Sequence, residues 1–235
     1  MSLIYLIRHG QASFGHENYD RLSELGRKQS QILGDYFARS GVVFDAVYAG
    51  SLQRQQATAR NVMARISTGN GKPPFHIRPE FNEHDTFSII RAQAPAMIRE
   101  DASLSPAFES VFTDPRSFQK IQETAMLRWM SGMSDIPGVE TWESFTRRVQ
   151  SGITQVMAEN GRRKSIAIFT SGGAICAVMR MVLGLSNEIT ITLARSIRNT
   201  SVSLVQYNDQ RLGLSFFNSS AHLELHNQPE LLTYG

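Results

Sequence analysis

The chain is poor in several things, and each shortage narrows what it can be. It has one cysteine, Cys176, in 235 residues. A single thiol closes no internal disulfide and leaves no Cys cluster for structural zinc, so the fold must rest on an apolar core, and a reducing cytoplasmic setting is expected. The six histidines show no His-Glu-x-x-His spacing. Their close pair, His222 and His226, falls in a tail rich in Ser, Asn and Pro, where a local hydrogen bond is the expected role; no metal and no cofactor is expected. Charged residues make up 19% of the chain, with a formal net charge of +3. Long basic runs are missing, so neither nucleic acid nor a membrane surface is expected as a partner, whereas a small anionic ligand suits the modest excess. No apolar run approaches the ~20 residues of a membrane span, and Met1 to Ile7 is too short for the apolar stretch of a signal peptide. The loop Thr68-Gly69-Asn70-Gly71-Lys72-Pro73-Pro74 holds Gly-Lys without P-loop spacing. No internal repeat is visible.

What is present reads as α/β. With 41% hydrophobic residues, the chain can bury one substantial core. Apolar patterning predicts helices over about 23–39, 52–66, 142–160 and 174–183. Strands are expected near Leu3, Ala46, His76, Ile166 and Val202, with a last strand over 212–218 after the turn Asn208-Asp209-Gln210. Such alternation argues for a three-layer sandwich around a mostly parallel sheet, as one domain over 1–235. Between about 84 and 137 the rhythm stops, and two or three helices broken by Pro95, Pro106 and Pro115 form an expected helical lid. There Arg91, Arg99, Arg116 and Lys120 are read mainly as solvated charges. Phe87, Phe108, Phe112, Phe118 and Trp129 are read mainly as lid core, two or three of them available to line an apolar pocket wall.

Three polar clusters follow buried strands. Leu3 to Ile7 lacks alternation, as a strand buried on both faces does, and delivers Arg8-His9-Gly10 to a carboxyl edge, where open α/β sheets bind ligands. Gly10 would let the backbone approach an anion. After Phe44 to Tyr48, Ser51 can cap a helix that carries Arg54 in its first turn. After Phe75 to Arg78 comes Pro79-Glu80-Phe81-Asn82-Glu83-His84. A fourth segment, Ile166 to Phe169 followed by Thr170-Ser171-Gly172-Gly173-Ala174, runs from strand to glycines to helix and aims N–H groups at an anion. Ser171 fits a ligand-facing cap best, then a plain helix cap; as a nucleophile it lacks the Gly-x-Ser-x-Gly pattern.

In this order the motifs resemble the histidine phosphatase superfamily, which includes phosphoglycerate mutases. Leu6-Ile7-Arg8-His9-Gly10-Gln11 is similar to its nucleophile motif, and Tyr19 to Gln29 to the turn and helix start that follow. Ser51 to Ala59 is similar to the second-arginine motif and Phe81-Asn82-Glu83 to the acid segment. Gly138 to Phe145 and Asn199-Thr200-Ser201-Val202 resemble later signatures. The resemblance implies a phosphomonoester hydrolase, independent of metal, acting on a small-molecule phosphate ester. His9 would form a phosphohistidine, and Glu83, with Glu80 and Asp85 as rivals, would act as acid and then base. Arg8, Gln11, Arg54, Ser171 and Gly172 would bind substrate. The family's second histidine is replaced here by Ser171, a donor without charge, which implies slower turnover that a Ser171→His change should raise. The alternatives are a mutase-like phosphotransferase and a non-catalytic phosphate-ester sensor or scaffold. The sequence carries no signal for an oligomeric state.

Overall fold

A computed structural model of the chain describes residues 1–13, 20–66, 71–111, 113–132, 136–208 and 211–234. Tyr19, Thr68-Gly69-Asn70, Phe112 and the Asp209-Gln210 part of the expected turn lie outside them. The strands are β1 (Ser2–Arg8), β2 (Ala46–Ala49), β3 (Phe75–Ile77), β4 (Ser165–Thr170), β5 (Val202–Tyr207) and β6 (Leu212–Ser219), ordered β3-β2-β4-β1-β5-β6. β3, β2, β4 and β1 are parallel neighbours, while β5 is antiparallel to β1 and to β6. The helices are α1 (Glu24–Arg39), α2 (Gln53–Met63), α3 (Thr86–Glu100), α4 (Ser105–Glu109), α5 (Pro115–Ser131), α6 (Trp142–Asn160), α7 (Gly172–Leu183), α8 (Asn187–Ser196) and α9 (Ala221–Glu224).

Strand alternation sorts the core into two layers. Ile4, Leu6, Tyr48, Ile166 and Ile168 pack with Phe145, Val149 and Ile153 of α6 and with Ile175 and Met179 of α7. Ile7, Val47, Ala49, Ala167 and Phe169 face the opposite way, onto Leu33 and Phe37 of α1 and Ala59 and Val62 of α2. The α/β three-layer sandwich with its mostly parallel sheet is therefore what the sequence led us to expect.

Several local expectations are corrected. Pro95 does not break the lid: α3 runs through it. The proline is exposed, so the carbonyl that loses its helical donor faces water. Pro106 and Pro115 do sit at helix starts, where their missing N–H costs nothing. α7 begins at Gly172, two residues earlier than its apolar pattern suggested. α8 was not expected; Ser186, accepting from the Ile189 N–H, starts a helix there. Within the segment expected to form a lid, Ile90, Met97, Val111, Ile121 and Ala125 form a small core of their own. Trp129, in contrast, joins the main core. Arg91, Arg99, Arg116 and Lys120 are all exposed. No helix among the described residues is long and apolar enough to cross a membrane.

Candidate active site

Parallel pairing of β1 with β4 sets Arg8 opposite Thr170, and the His9 N–H donates to the Thr170 carbonyl at 2.9 Å. Two strand ends that are far apart in sequence thus open onto one edge. Thr200 and Asn199, at the start of β5, close that edge from the other side of β1 by donating to the His9 carbonyl, each at 3.2 Å.

The His9 ring is 4% exposed. Its Nδ1 lies 2.7 Å from the Gly10 carbonyl oxygen, which can only accept, so Nδ1 carries the proton. Nε2 then keeps a lone pair, and it accepts from Arg54 Nε at 3.1 Å. Burial, reinforced by the Arg54 and Arg8 guanidinium charges, holds the ring well below the usual histidine range, against the opposing pull of the Gly10 bond and of Glu83. The imidazole is neutral at pH 7, with one nitrogen fixed as donor and the other as acceptor.

Arg54 is held from behind. Its Nη1 donates to Asp20 Oδ1 at 2.7 Å, and the same carboxylate accepts from the Gln53 and Arg54 N–H groups at 2.8 and 3.5 Å. Asp20, not Ser51, therefore caps α2: Leu52 is the capping residue and makes no side-chain bond, while Ser51 pairs through N–H and Oγ with the Asn82 amide. Arg8 donates from Nη1 to the Ile197 carbonyl. Gln11 spends its N–H on Gln29 Oε1 and its side-chain oxygen on Ser23 Oγ, the cap of α1. Gly10 is glycine for a different reason than anion approach: a Cβ there would lie 2.4 Å from the Gly26 carbonyl oxygen, so α1 could not pack so close.

Glu83 stands at the start of α7. Oε2 accepts from the Gly173 N–H at 3.0 Å, and a Cβ on Gly173 would come within 2.2 Å of Oε1. His84 Nδ1 lies 2.9 Å from Oε1, with Trp129 and Phe145 packed against its ring. Burial pushes the Glu83 carboxyl up, but the adjoining His84 ring, the Gly173 N–H and Arg54 outweigh it and bring it down to about 2. The backbone ahead of Glu83 is held at every carbonyl. Arg148 Nη1 donates to Pro79, Glu80 and Asn82 at 2.9, 3.0 and 3.2 Å, while Gln55 and Thr170 donate to Phe81. Arg148 is itself paired through two bonds with Glu140. Of the two rival carboxylates, Asp85 caps α3 and Glu80 lies against Gly152 of α6.

Ser171 is fully buried and occupies the cap position of α7, yet its hydroxyl makes no capping bond. Gln55 Nε2 donates to its Oγ at 2.8 Å instead. The plain cap does not describe this hydroxyl, and the partner beside it is an amide rather than a base. Gly172 has room: a Cβ there would sit 3.7 Å from Arg8 Nε. Sequence reasoning gave no role to Asp20, Gln55, His84, Arg148, Asn199 or Thr200. Only Arg148, eight residues beyond Glu140 on a helix, stood wholly outside the quoted motifs and left no signal.

Known proteins resemble this chain in sequence and in fold. The profile of the histidine phosphatase superfamily (branch 1) matches residues 4–104 and 84–220. A 2,3-bisphosphoglycerate-dependent phosphoglycerate mutase of Bartonella bacilliformis is 23% identical over 193 residues, covering 79% of this chain and 83% of the relative. Among solved structures, YhfR of Bacillus stearothermophilus superposes with a TM-score of 0.68 at 14% identity, over 95% of this chain and 100% of the other. The alpha-ribazole phosphatase of Shigella flexneri superposes with a TM-score of 0.60 at 21% identity, over 92% and 96%. At these identities the structural likenesses speak for the fold.

Proposed function

Since the chain belongs to the histidine phosphatase superfamily (branch 1), we propose that it hydrolyses a small phosphomonoester through a phosphohistidine on His9. The observation that carries this reading is the fixed tautomer: Nδ1–H on the Gly10 carbonyl and an Nε2 lone pair beside the Arg54 guanidinium. A neutral imidazole held in this way is a nucleophile, and Arg8 and Arg54 supply cationic donors for the phosphoryl oxygens on which the transition-state charge spreads. In the first step Nε2 bonds to phosphorus and the P–O bond to the leaving oxygen breaks. In the second, water takes the phosphoryl group from Nε2, its proton passing to a base.

Glu83, ionised near neutral pH, serves directly as that base. For the first step it needs a proton. A substrate arriving as the phosphate monoanion brings one, which Glu83 accepts and hands to the leaving oxygen. Alkyl phosphates should therefore lose kcat/KM as pH rises above ~6, where the monoanion is lost, while aryl phosphates, whose leaving oxygens need no proton, should hold theirs.

A second reading, a phosphate-ester sensor with feeble turnover, draws on one observation: the neutral Ser171–Gln55 pair where the resemblance leads one to expect a histidine. The decisive experiment is incubation with a labelled phosphate ester and an alkaline quench. Label on His9 that is stable to alkali, labile to acid and formed as fast as turnover supports the hydrolase; tight ester binding with no adduct supports the sensor. Because His9 and the arginines supply the charge, EDTA should leave the rate unchanged.

A further inference from the structure

Behind the nucleophile sits a backbone conformation that its residue type disfavours. Thr200 has φ +56°, the left-handed region, where a β-branched side chain is an outlier. Of the other non-glycine residues there among the described ones, Asn218 and Asn227 are of the type that tolerates it, and Arg163 lies in a bend. Thr200 is fully buried, so the surrounding contacts must hold it in place.

Those contacts converge on His9. The left-handed turn aims the Thr200 N–H at the His9 carbonyl oxygen, 3.2 Å away, and the Asn199 Nδ2 reaches the same oxygen at 3.2 Å. Both acceptor sites of that carbonyl are then filled from two consecutive residues. The Thr200 hydroxyl has one proton and donates it to the Asn199 carbonyl at 2.8 Å, so toward His222 Nε2, 3.0 Å away, it must accept. His222 is 3% exposed, and burial pulls it down to about 3, which suits the neutral Nε2–H tautomer this bond requires. Asn199 is oriented in turn: its Oδ1 accepts from Thr233 Oγ1 at 2.9 Å, Thr233 Oγ1 accepts from Gln29 Nε2 at 2.8 Å, and Gln29 Oε1 accepts from the Gln11 N–H at 2.9 Å. The chain of bonds begins at the carbonyl of residue 9 and returns to the amide of residue 11.

We propose that Thr200 is a positioning residue for phosphoryl transfer: its hydroxyl pins the left-handed turn whose donors hold the His9 carbonyl and so fix the direction of the Nε2 lone pair. The role in transfer rests on His9 being the nucleophile; the pinning of the ring does not. Misplacing a reacting atom by about 1 Å can cost 10²-fold, so losing the pin should slow His9 phosphorylation by about tenfold or more with KM little changed.

The test uses the full chain and three variants. Thr200→Ser keeps the hydroxyl and should phosphorylate His9 within about twofold of the natural protein. Thr200→Val keeps the shape without the hydroxyl and should be slow. Thr200→Gly adopts the left-handed turn without strain, so it should melt above the valine variant by about 2–4 °C and yet be equally slow. A glycine or valine variant with the natural rate overturns the proposal, as does a serine variant as slow as valine. If the natural protein forms no phosphohistidine, the functional reading fails and the pin is judged on ¹⁵N resonances of the His9 ring. A single Nδ1–H tautomer that becomes mixed in Thr200→Gly upholds it; unchanged resonances overturn it.

Discussion

The two flanks of the site are built on opposite principles. On the β1 and α2 side, a neutral imidazole is crowded by two guanidinium groups and held through backbone bonds on every side. On the β4 and α7 side, a partly buried carboxylate sits on a helix N-terminus, next to a serine that an amide covers. In the proposed mechanism the first flank supplies the nucleophile and positive charge. In the proposed mechanism the second supplies the base. If the proposed mechanism holds, the difference teaches that its steps can be tuned separately, because the imidazole and the carboxylate hang from different elements.

The harshest way to break this division is at the nucleophile. His9→Gln should lower turnover by about 10⁴-fold or more and abolish the alkali-stable adduct; an adduct surviving the substitution would move the nucleophile to another residue. Next comes Glu83→Gln, which keeps the Gly173 bond but cannot carry a proton. We expect a loss of about 10²–10³-fold with alkyl phosphates and a smaller one in His9 phosphorylation by aryl phosphates. Equal losses with both classes would mean that Glu83 acts through charge alone.

Acid should separate the flanks by stability. His222, which backs the first flank, accepts a proton near 6.5 when unfolded and near 3 when folded. Between those values unfolding takes up a proton, so stability falls as pH falls, by an amount on the order of a few kcal/mol. Burial also lowers His9, with the same sign. Glu83 adds its share only below about 4.5, down to about 2. Melting temperatures should thus begin to fall near pH 6.5, and His222→Gln should flatten the upper part of that limb. An unchanged limb would remove His222 from the account.

The smallest effect belongs to Ser171. Ser171→Ala should change kcat by less than about threefold, while leaving a buried Gln55 N–H unpaired at a cost of about 1–3 kcal/mol. Ser171→His alone meets Gln55; combined with Gln55→Ala it should raise hydrolysis by about tenfold. A large kcat loss in Ser171→Ala would mean that the hydroxyl meets substrate after all.

Much of this was legible in residues alone. The unbroken apolar run before Arg8 announces a strand buried on both faces, and Ser23 and Thr141 announce helix starts through local bonds to their own first turns. Arg54 was placed on the first turn of its helix correctly, although the cap itself came from Asp20. Pro95 misled, because an exposed proline let α3 run through it, and α8 went unread.

Patterns of apolar spacing and capping act over a few residues, so the sequence by itself determined the layers, the strand ends and the residue types delivered to the sheet edge. The state of those residues was decided only by the tertiary structure. Whether Glu83 rises or falls depends on burial against His84, Gly173 and Arg54 together, and what Ser171 meets depends on an amide from another helix. The left-handed turn at Thr200 persists because a distant histidine and asparagine network surround it. Desolvation and hydrogen-bond partnership are properties of groups brought together in space, and no spacing along the chain encodes them.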